Sequence, residues 1–170
     1  MLITYVTYVK VPPHLLHTWS AITQTNHSLV SETPESLARN ARFTVVAFDG
    51  ETPIGFAGLM AAHTSEGHGL EWDGRSVIEL GSAWVHPEYR KRGIWHRLLS
   101  DRLTHARGQQ WLTVCVSSIP DIVHGITKMG AVQIDAETHT GLLKALCMSC
   151  AEANSCVFCP LSPGTAWRFP

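Results

Sequence analysis

The sequence predicts a single α/β domain built on one mixed sheet with helices packed on it. Three observations predict it. Two apolar runs are joined by a turn containing Asp49-Gly50, as in a β-hairpin. A strand-like run passes into a segment of helical period at Gly93. Strand–helix–strand alternation then continues to about residue 137. A length of 170 residues suits one domain with a real core, and 45% apolar with 16% charged residues describes an ordinary globular chain.

The elements follow in order. "LITYVTYVKV" alternates, is rich in β-branched and aromatic residues, and ends at Pro12-Pro13, so it reads as a strand. "HLLHTWSAIT" reads as a short helix, and Thr33-Pro34 supplies an N-cap and first-turn proline for another through "ESLARNA". "FTVVAFDGETPIGFAGLMAAH" is the hairpin, and the polar, glycine-rich "TSEGHGLEWDGRS" reads as a loop. "VIELGSAWV" is a further strand. Ile94, Leu98, Leu99, Leu103 and Ala106 recur at helical spacing with Gly108 as the stop. "WLTVCVS" is a buried strand containing an inert thiol at Cys115, "DIVHGITKMG" a short helix ending at Gly130, and "AVQIDAE" a strand. No internal repeat and no interdomain linker is visible. Residues 1–137 are expected to form the domain, with 138–170 a Cys-rich C-terminal extension packed on it.

Charge excludes some partners. A formal net charge of −1 provides no global field for nucleic acid or a membrane surface, so neither is expected as a partner. No apolar run approaches the ~18 residues of a membrane span. "MLITYVTYVKVPP" lacks the basic n-region of a signal peptide, and a cytoplasmic location is expected.

The chemistry concentrates in "VHPEYRKRGIWHRLL". Arg90, Lys91 and Arg92 stand before Gly93, at the positive end of the following helix, where the dipole disfavours cations. A solvated loop is one reading. The other is a phosphate site, because a glycine that follows a strand and opens a helix leaves backbone N–H groups unpaired and outward.

This stretch resembles the acetyl-CoA-binding motif of the GNAT N-acetyltransferase superfamily, in which V-x-P-x-x-R/Q leads into R/Q-x-x-G-x-G/A and a helix. Val85, Pro87, Tyr89, Arg90 and Gly93 match as they stand. "VVAFDGETPIGFAGL", "VIELGSAWV" and "ITKMGAVQI" resemble the family's neighbouring strands and its late helix-to-strand passage. The resemblance implies a mostly antiparallel twisted sheet flanked by helices. It implies that Arg90, Lys91, Arg92, Gly93, Ile94 and Trp95 wrap the pyrophosphate through their backbone, and that the main chain of Trp84 and Val85 pairs with the pantetheine arm. It implies direct transfer of acetyl from acetyl-CoA to a primary amine of a small-molecule or peptide acceptor in a ternary complex. A homodimer is a further possibility of the superfamily.

Two departures stand out. Trp95 occupies a position where the family usually has Gly or Ala, and is expected to pack outward or sideways. The positions of the family's Asn and acid Tyr are Ile119 and Ile126, which cannot donate a proton. Glu79 is the best candidate base, since a carboxylate beside an apolar strand can have its pKa raised; a structural Glu is the bland alternative. His86 and His124 are other titrating candidates. Ser117 and Ser118 could hydrogen-bond the departing sulfur. A non-catalytic acyl-CoA-binding module of the same fold is the competing function. The loop from Thr64 to Ser76 carries Glu66, Glu71 and Asp73, which could attract a cationic amine or simply be solvated.

Cys147, Cys150, Cys156 and Cys159 give C-x2-C-x5-C-x2-C. Two such pairs suit one closed, tetrahedral structural zinc. An Fe–S cluster or free thiols are the alternatives. The tail carries only Lys144 and Arg168 as cations, a poor footprint for nucleic acid.

Overall fold

The structure, a computed structural model, describes residues 2–26, 29–63, 68–117, 119–135, 141–142 and 166–170. Its elements are β1 (Ile3–Tyr8), α1 (Pro13–Thr25), α2 (Pro34–Asn40), β2 (Ala41–Asp49), β3 (Thr52–Ala61), β4 (Glu71–Trp72), β5 (Arg75–Val85), a 3-10 turn (Pro87–Tyr89), α3 (Ile94–Gly108), β6 (Leu112–Val116), α4 (Pro120–Lys128), β7 (Val132–Gln133) and β8 (Ala166–Phe169). Strand order is β1-β2-β3-β5-β6-β8-β7, with β4 paired to β5 off that path. This is a mixed α/β fold on a mostly antiparallel sheet, as the sequence predicts. The chain divides into two compact units, residues 1–60 with 80–105, and residues 61–79 with 106–170.

In the first unit β1 pairs antiparallel with β2 from Ile3–Asp49 to Tyr8–Thr44, and β2 pairs antiparallel with β3 across the Gly50 turn. Gly50 adopts φ +60°, the left-handed conformation that turn requires. Phe43 to Ala47 of β2 and Ile54 to Met60 of β3 are buried throughout, so both faces of these strands are covered. On one face α1 and α2 contribute Leu15, Leu16, Trp19 and Leu37, which pack with Val46, Phe56 and Met60. Trp19 is fully buried and stacks on Phe56 at 5.8 Å. A buried side chain of this size contributes roughly 2–3 kcal/mol of hydrophobic stabilisation. The predicted cap of α2 forms, with Thr33 Oγ1 accepting from Ser36 N at 3.1 Å.

In the second unit β5 and β6 run parallel over Val77–Leu112, Ile78–Thr113 and Glu79–Val114. Its core joins Ala62, Leu70, Val77, Leu112, Val114, Ile134, Leu142 and Ala166. Three features depart from the sequence reading. The polar segment read as a loop contains a two-residue hairpin, β4 to β5, turning at Asp73 (φ +52°) and Gly74 (φ +70°). Positive φ at both central residues is the turn type that Asp-Gly favours. Among the described residues, the strand expected over 131–137 is β7 at Val132–Gln133, with Ile134 N also donating to Ala166 O at 2.9 Å, while Ala166–Phe169 adds the unanticipated β8 between β6 and β7.

Candidate functional site

Helix α3 starts at Ile94, and the carbonyl of the preceding Gly93 accepts the first helical bond from Arg97 N at 3.1 Å. The amides of Ile94, Trp95 and His96 therefore have no acceptor within the helix. Just before them Lys91 sits at φ +62° and Gly93 at φ +77°. Two left-handed residues so close together, after an extended Arg90, turn the chain sharply enough to bring successive N–H groups into one concavity, a nest for an anion. A lysine there bears strain of about 1 kcal/mol or more. A Cβ on Gly93 would meet nothing within 4 Å, so the backbone conformation, not crowding, is what selects glycine.

The nest opens into a cavity of about 180 Å³ walled by Val85, Tyr89, Arg90, Lys91, Gly93, Ile94, Trp95 and His96. That is below the ~300 Å³ at which pockets begin to enclose a drug-sized ligand, and fits one anionic group of a longer ligand. Trp95 is half-buried and forms part of this wall, its ring tilted against His96 at 5.6 Å.

The three cations divide their work. Arg90 Nε donates to Val85 O at 3.2 Å and Arg92 Nη2 to Glu88 O at 3.1 Å, so both stitch the loop to its own main chain. Lys91 is exposed. The Arg92 guanidinium also lies 5.1 Å over the Tyr89 ring. Tyr89 donates its hydroxyl to Asp49 Oδ2 at 2.7 Å, which ties the loop to the β2–β3 hairpin and raises the phenol's pKa. His86 accepts from Glu88 N through Nδ1 at 3.3 Å and packs edge-on against Trp84 and Tyr89. It caps the 3-10 turn, a structural role.

Upstream, His86 N donates to Ile54 O at 2.8 Å, and Trp84 O stands 3.3 Å from where a Cβ on Gly55 would lie. Trp84 thus turns its main-chain groups toward β3. Strand alternation turns those of Ala83 and Val85 the other way. Of Trp84 and Val85, the two residues the sequence selects for an added strand, it is Val85 whose main chain faces away from β3, and its carbonyl accepts from Arg90 Nε at 3.2 Å. Further back, β5 bends at Ser82, φ +42°. The Trp19 indole donates to Ser82 O at 3.3 Å. Arg102, 2% exposed, donates through Nη1 to Gly58 O at 3.0 Å and Gly81 O at 3.5 Å, and through Nε to Leu98 O at 3.3 Å.

Sequence reasoning passes over Trp19, Ser82 and Arg102. Two signals were available: an arginine in register with the apolar stripe of α3, four residues after Leu98, and glycines inside two strands, where close approach is the usual cause.

Glu79 lies in β5, half-buried, in register with Val114. Ser117 follows β6, is 6% exposed, and accepts from Ile119 N at 3.2 Å, so its hydroxyl hydrogen is not used by that bond. His124 is exposed on α4, and Ile126 is buried. Ser118 and Glu66 lie outside the described residues, as do Cys147, Cys150, Cys156 and Cys159. Among the described residues no group of three or more His, Cys, Asp or Glu could hold a metal ion, and no helix is long and apolar enough to cross a membrane.

A family model described as the acetyltransferase (GNAT) family matches residues 13–120. Comparison with curated proteins returns no sequence match. Among solved structures, Rv2747 of Mycobacterium tuberculosis in complex with CoA is similar with a TM-score of 0.65 at 16% identity, over 96% of this chain and 98% of that one. N-acetylglutamate synthase of Neisseria gonorrhoeae, complexed with coenzyme A and N-acetyl-glutamate, is similar at TM-score 0.64 and 13% identity, over 98% of this chain and 35% of that one. Naa50 of Arabidopsis thaliana, bound to a bisubstrate analogue, is similar at TM-score 0.60 and 14% identity, over 78% of this chain and 85% of that one.

Proposed function

The chain belongs to the acetyltransferase (GNAT) family, and on that premise we propose that it is an N-acetyltransferase moving acetyl from acetyl-CoA to a primary amine. The observation that carries the reading is the anion nest at Lys91–Gly93 opening into the helix start at Ile94. It offers a diphosphate several convergent N–H donors before any side chain is counted. The similar structures that hold CoA or a CoA-containing analogue support the same ligand.

In this reading the amides from Arg90 to Trp95 hold the pyrophosphate, and the main chain at Val85 meets the pantetheine arm. The amine attacks the thioester carbonyl as its C–S bond breaks. Glu79 takes the ammonium proton, and Ser117 donates to the departing sulfur. These two roles rest on strand position and resemblance, with solvent completing protonation of the thiolate. Holding both reactants together supplies most of what such a transfer needs. The acceptor is an amine of a small molecule or a peptide, as it is in the names of the similar synthase and of Naa50's analogue. The four tail cysteines are proposed to hold one structural zinc on their spacing alone. Elemental analysis near one zinc per chain, lost on Cys147→Ser with Cys150→Ser, tests it.

Titration calorimetry of acetyl-CoA against 3′-dephospho-CoA, with Gly93→Glu as control, tests the site. Binding that the variant abolishes supports the reading. Failure of the wild type to bind removes it. Binding without turnover on an amine panel favours a non-catalytic acyl-CoA-binding module, which Ile119 and Ile126 at the acid positions also favour.

A further inference from the structure

The bend of β5 at Ser82 is held from outside its own strand. Two consecutive carbonyls, Gly81 O and Ser82 O, meet the Arg102 guanidinium and the Trp19 indole N–H respectively. Arg102 comes from α3, and Trp19 from α1, which packs with Val46 and Phe56. The same guanidinium nitrogen also takes Gly58 O, so it bridges β3 and β5. Glycine is required at both places. A Cβ on Gly58 would stand 2.7 Å from the Trp19 ring, and one on Gly81 would stand 2.4 Å from Met60 Cγ. A fully buried arginine bonded to carbonyls in a glycine-lined niche is an expensive way to build a plain strand. A non-glycine residue at positive φ persists only where its surroundings over-determine it.

The distance to the anion nest gives the bend a use. The arm that joins a coenzyme A pyrophosphate to its sulfur is roughly as long as four extended residues. Running back from Val85 along β5, it ends at the level of Gly81 and Ser82. Resting on the acetyltransferase reading above, we propose that Arg102 and Trp19 are positioning residues for acyl transfer. They fix the β5 bend where the thioester lies, and so set which main-chain groups meet its carbonyl.

The test reads the carbonyl itself and needs no acceptor. Isotope-edited infrared spectra of [1-13C]acetyl-CoA bound to the wild type are expected to show a carbonyl band at lower frequency than in free solution. Trp19→Phe, which keeps an aromatic ring against Phe56 but removes the N–H and part of the packing, and Arg102→Met return the band at least about halfway to the free value. Arg102→Lys restores part of the wild-type shift. Affinity for CoA stays within about threefold in all three, because the nest is untouched. A structural role alone would move melting temperature and CoA affinity together and leave the band where it was. An unchanged band in folded, CoA-binding Trp19→Phe and Arg102→Met proteins overturns the inference and leaves the acetyltransferase reading standing. A wild type that does not bind acetyl-CoA overturns both.

Discussion

The nest at 90–95 and the bend at 81–82 occupy one continuous stretch of chain, yet they are built in opposite ways. The nest is mostly local. Arg90 reaches back five residues to Val85, Arg92 four to Glu88, and Glu88 two to His86. The bend is held across sequence separations of 63 residues by Trp19 and 21 by Arg102. Local construction leaves a spacing pattern in the chain, whereas distant construction leaves only isolated residues whose partners the fold must supply. A locally built site can therefore be read from a motif, while one built from distant residues shows only once the fold brings them together.

The largest expected effect breaks the local end. Gly93→Glu puts a side chain at φ +77° and a negative charge in the nest. Backbone strain costs about 1–2 kcal/mol of stability, but acetyl-CoA affinity should fall about a hundredfold or more, since charge repulsion adds to lost geometry. Calorimetry that finds affinity within tenfold would sink the nest. Gly58→Ala tests the distant end. Its Cβ would press a fully buried indole, so about 1–3 kcal/mol of stability should be lost, read from denaturant midpoints. CoA affinity in the remaining folded protein should hold. If both variants damaged CoA binding equally, the contrast between the two regions would fail.

The same contrast explains what was legible. Hairpin, capped α2, the apolar stripe of α3 and the glycine opening it are short-range patterns, and all stand where the residues place them. Asp73-Gly74 was an available turn signal outweighed by the polar residues around it. Strand β8 was not readable, because Ala166–Phe169 is too short a run to declare a partner fifty residues away. The cations were legible as a cluster but not in their division of labour. Nothing in "RKR" says that two arginines bind carbonyls of their own loop. Which main-chain groups of Trp84 and Val85 face β3 was not legible until the bond from His86 N to Ile54 O fixed the alternation.

Tyr89 carries a long-range tie of the nest, to Asp49. Tyr89→Phe keeps the ring under Arg92 and removes that bond. The affinity for acetyl-CoA is expected to fall by about two- to fivefold, with the acetyl carbonyl band unmoved, so the loop loosens while the bend stays. Because the bond raises the phenol's pKa, the tie is complete below pH 10 and is lost as pH rises through the raised value. Wild-type affinity should therefore drift toward that of the variant in alkali. Affinity unchanged by the substitution would make the nest wholly local.

The smallest effect belongs to His105, which lies three residues past Arg102 on α3 and stacks on Phe43 of β2 at 3.9 Å and 5°. Burial lowers its pKa, because the imidazolium loses water that the neutral ring does not need. The sign follows from the folded value lying below the ordinary 6.5. The unfolded chain takes up the proton first. Stability from this group is complete above pH 6.5 and is lost as pH falls past it and through the depressed folded value. His105 is only partly buried, so solvent screening keeps the effect small, about 1 °C in melting temperature between pH 7 and 5. His105→Gln should flatten that part of the profile. In the same range the carbonyl band at the bend should respond before CoA affinity does, since α3 carries His105 beside Arg102 and well away from its own first turn. An identical pH slope in wild type and variant would remove His105 from the account and leave the acid sensitivity of the bend to other groups.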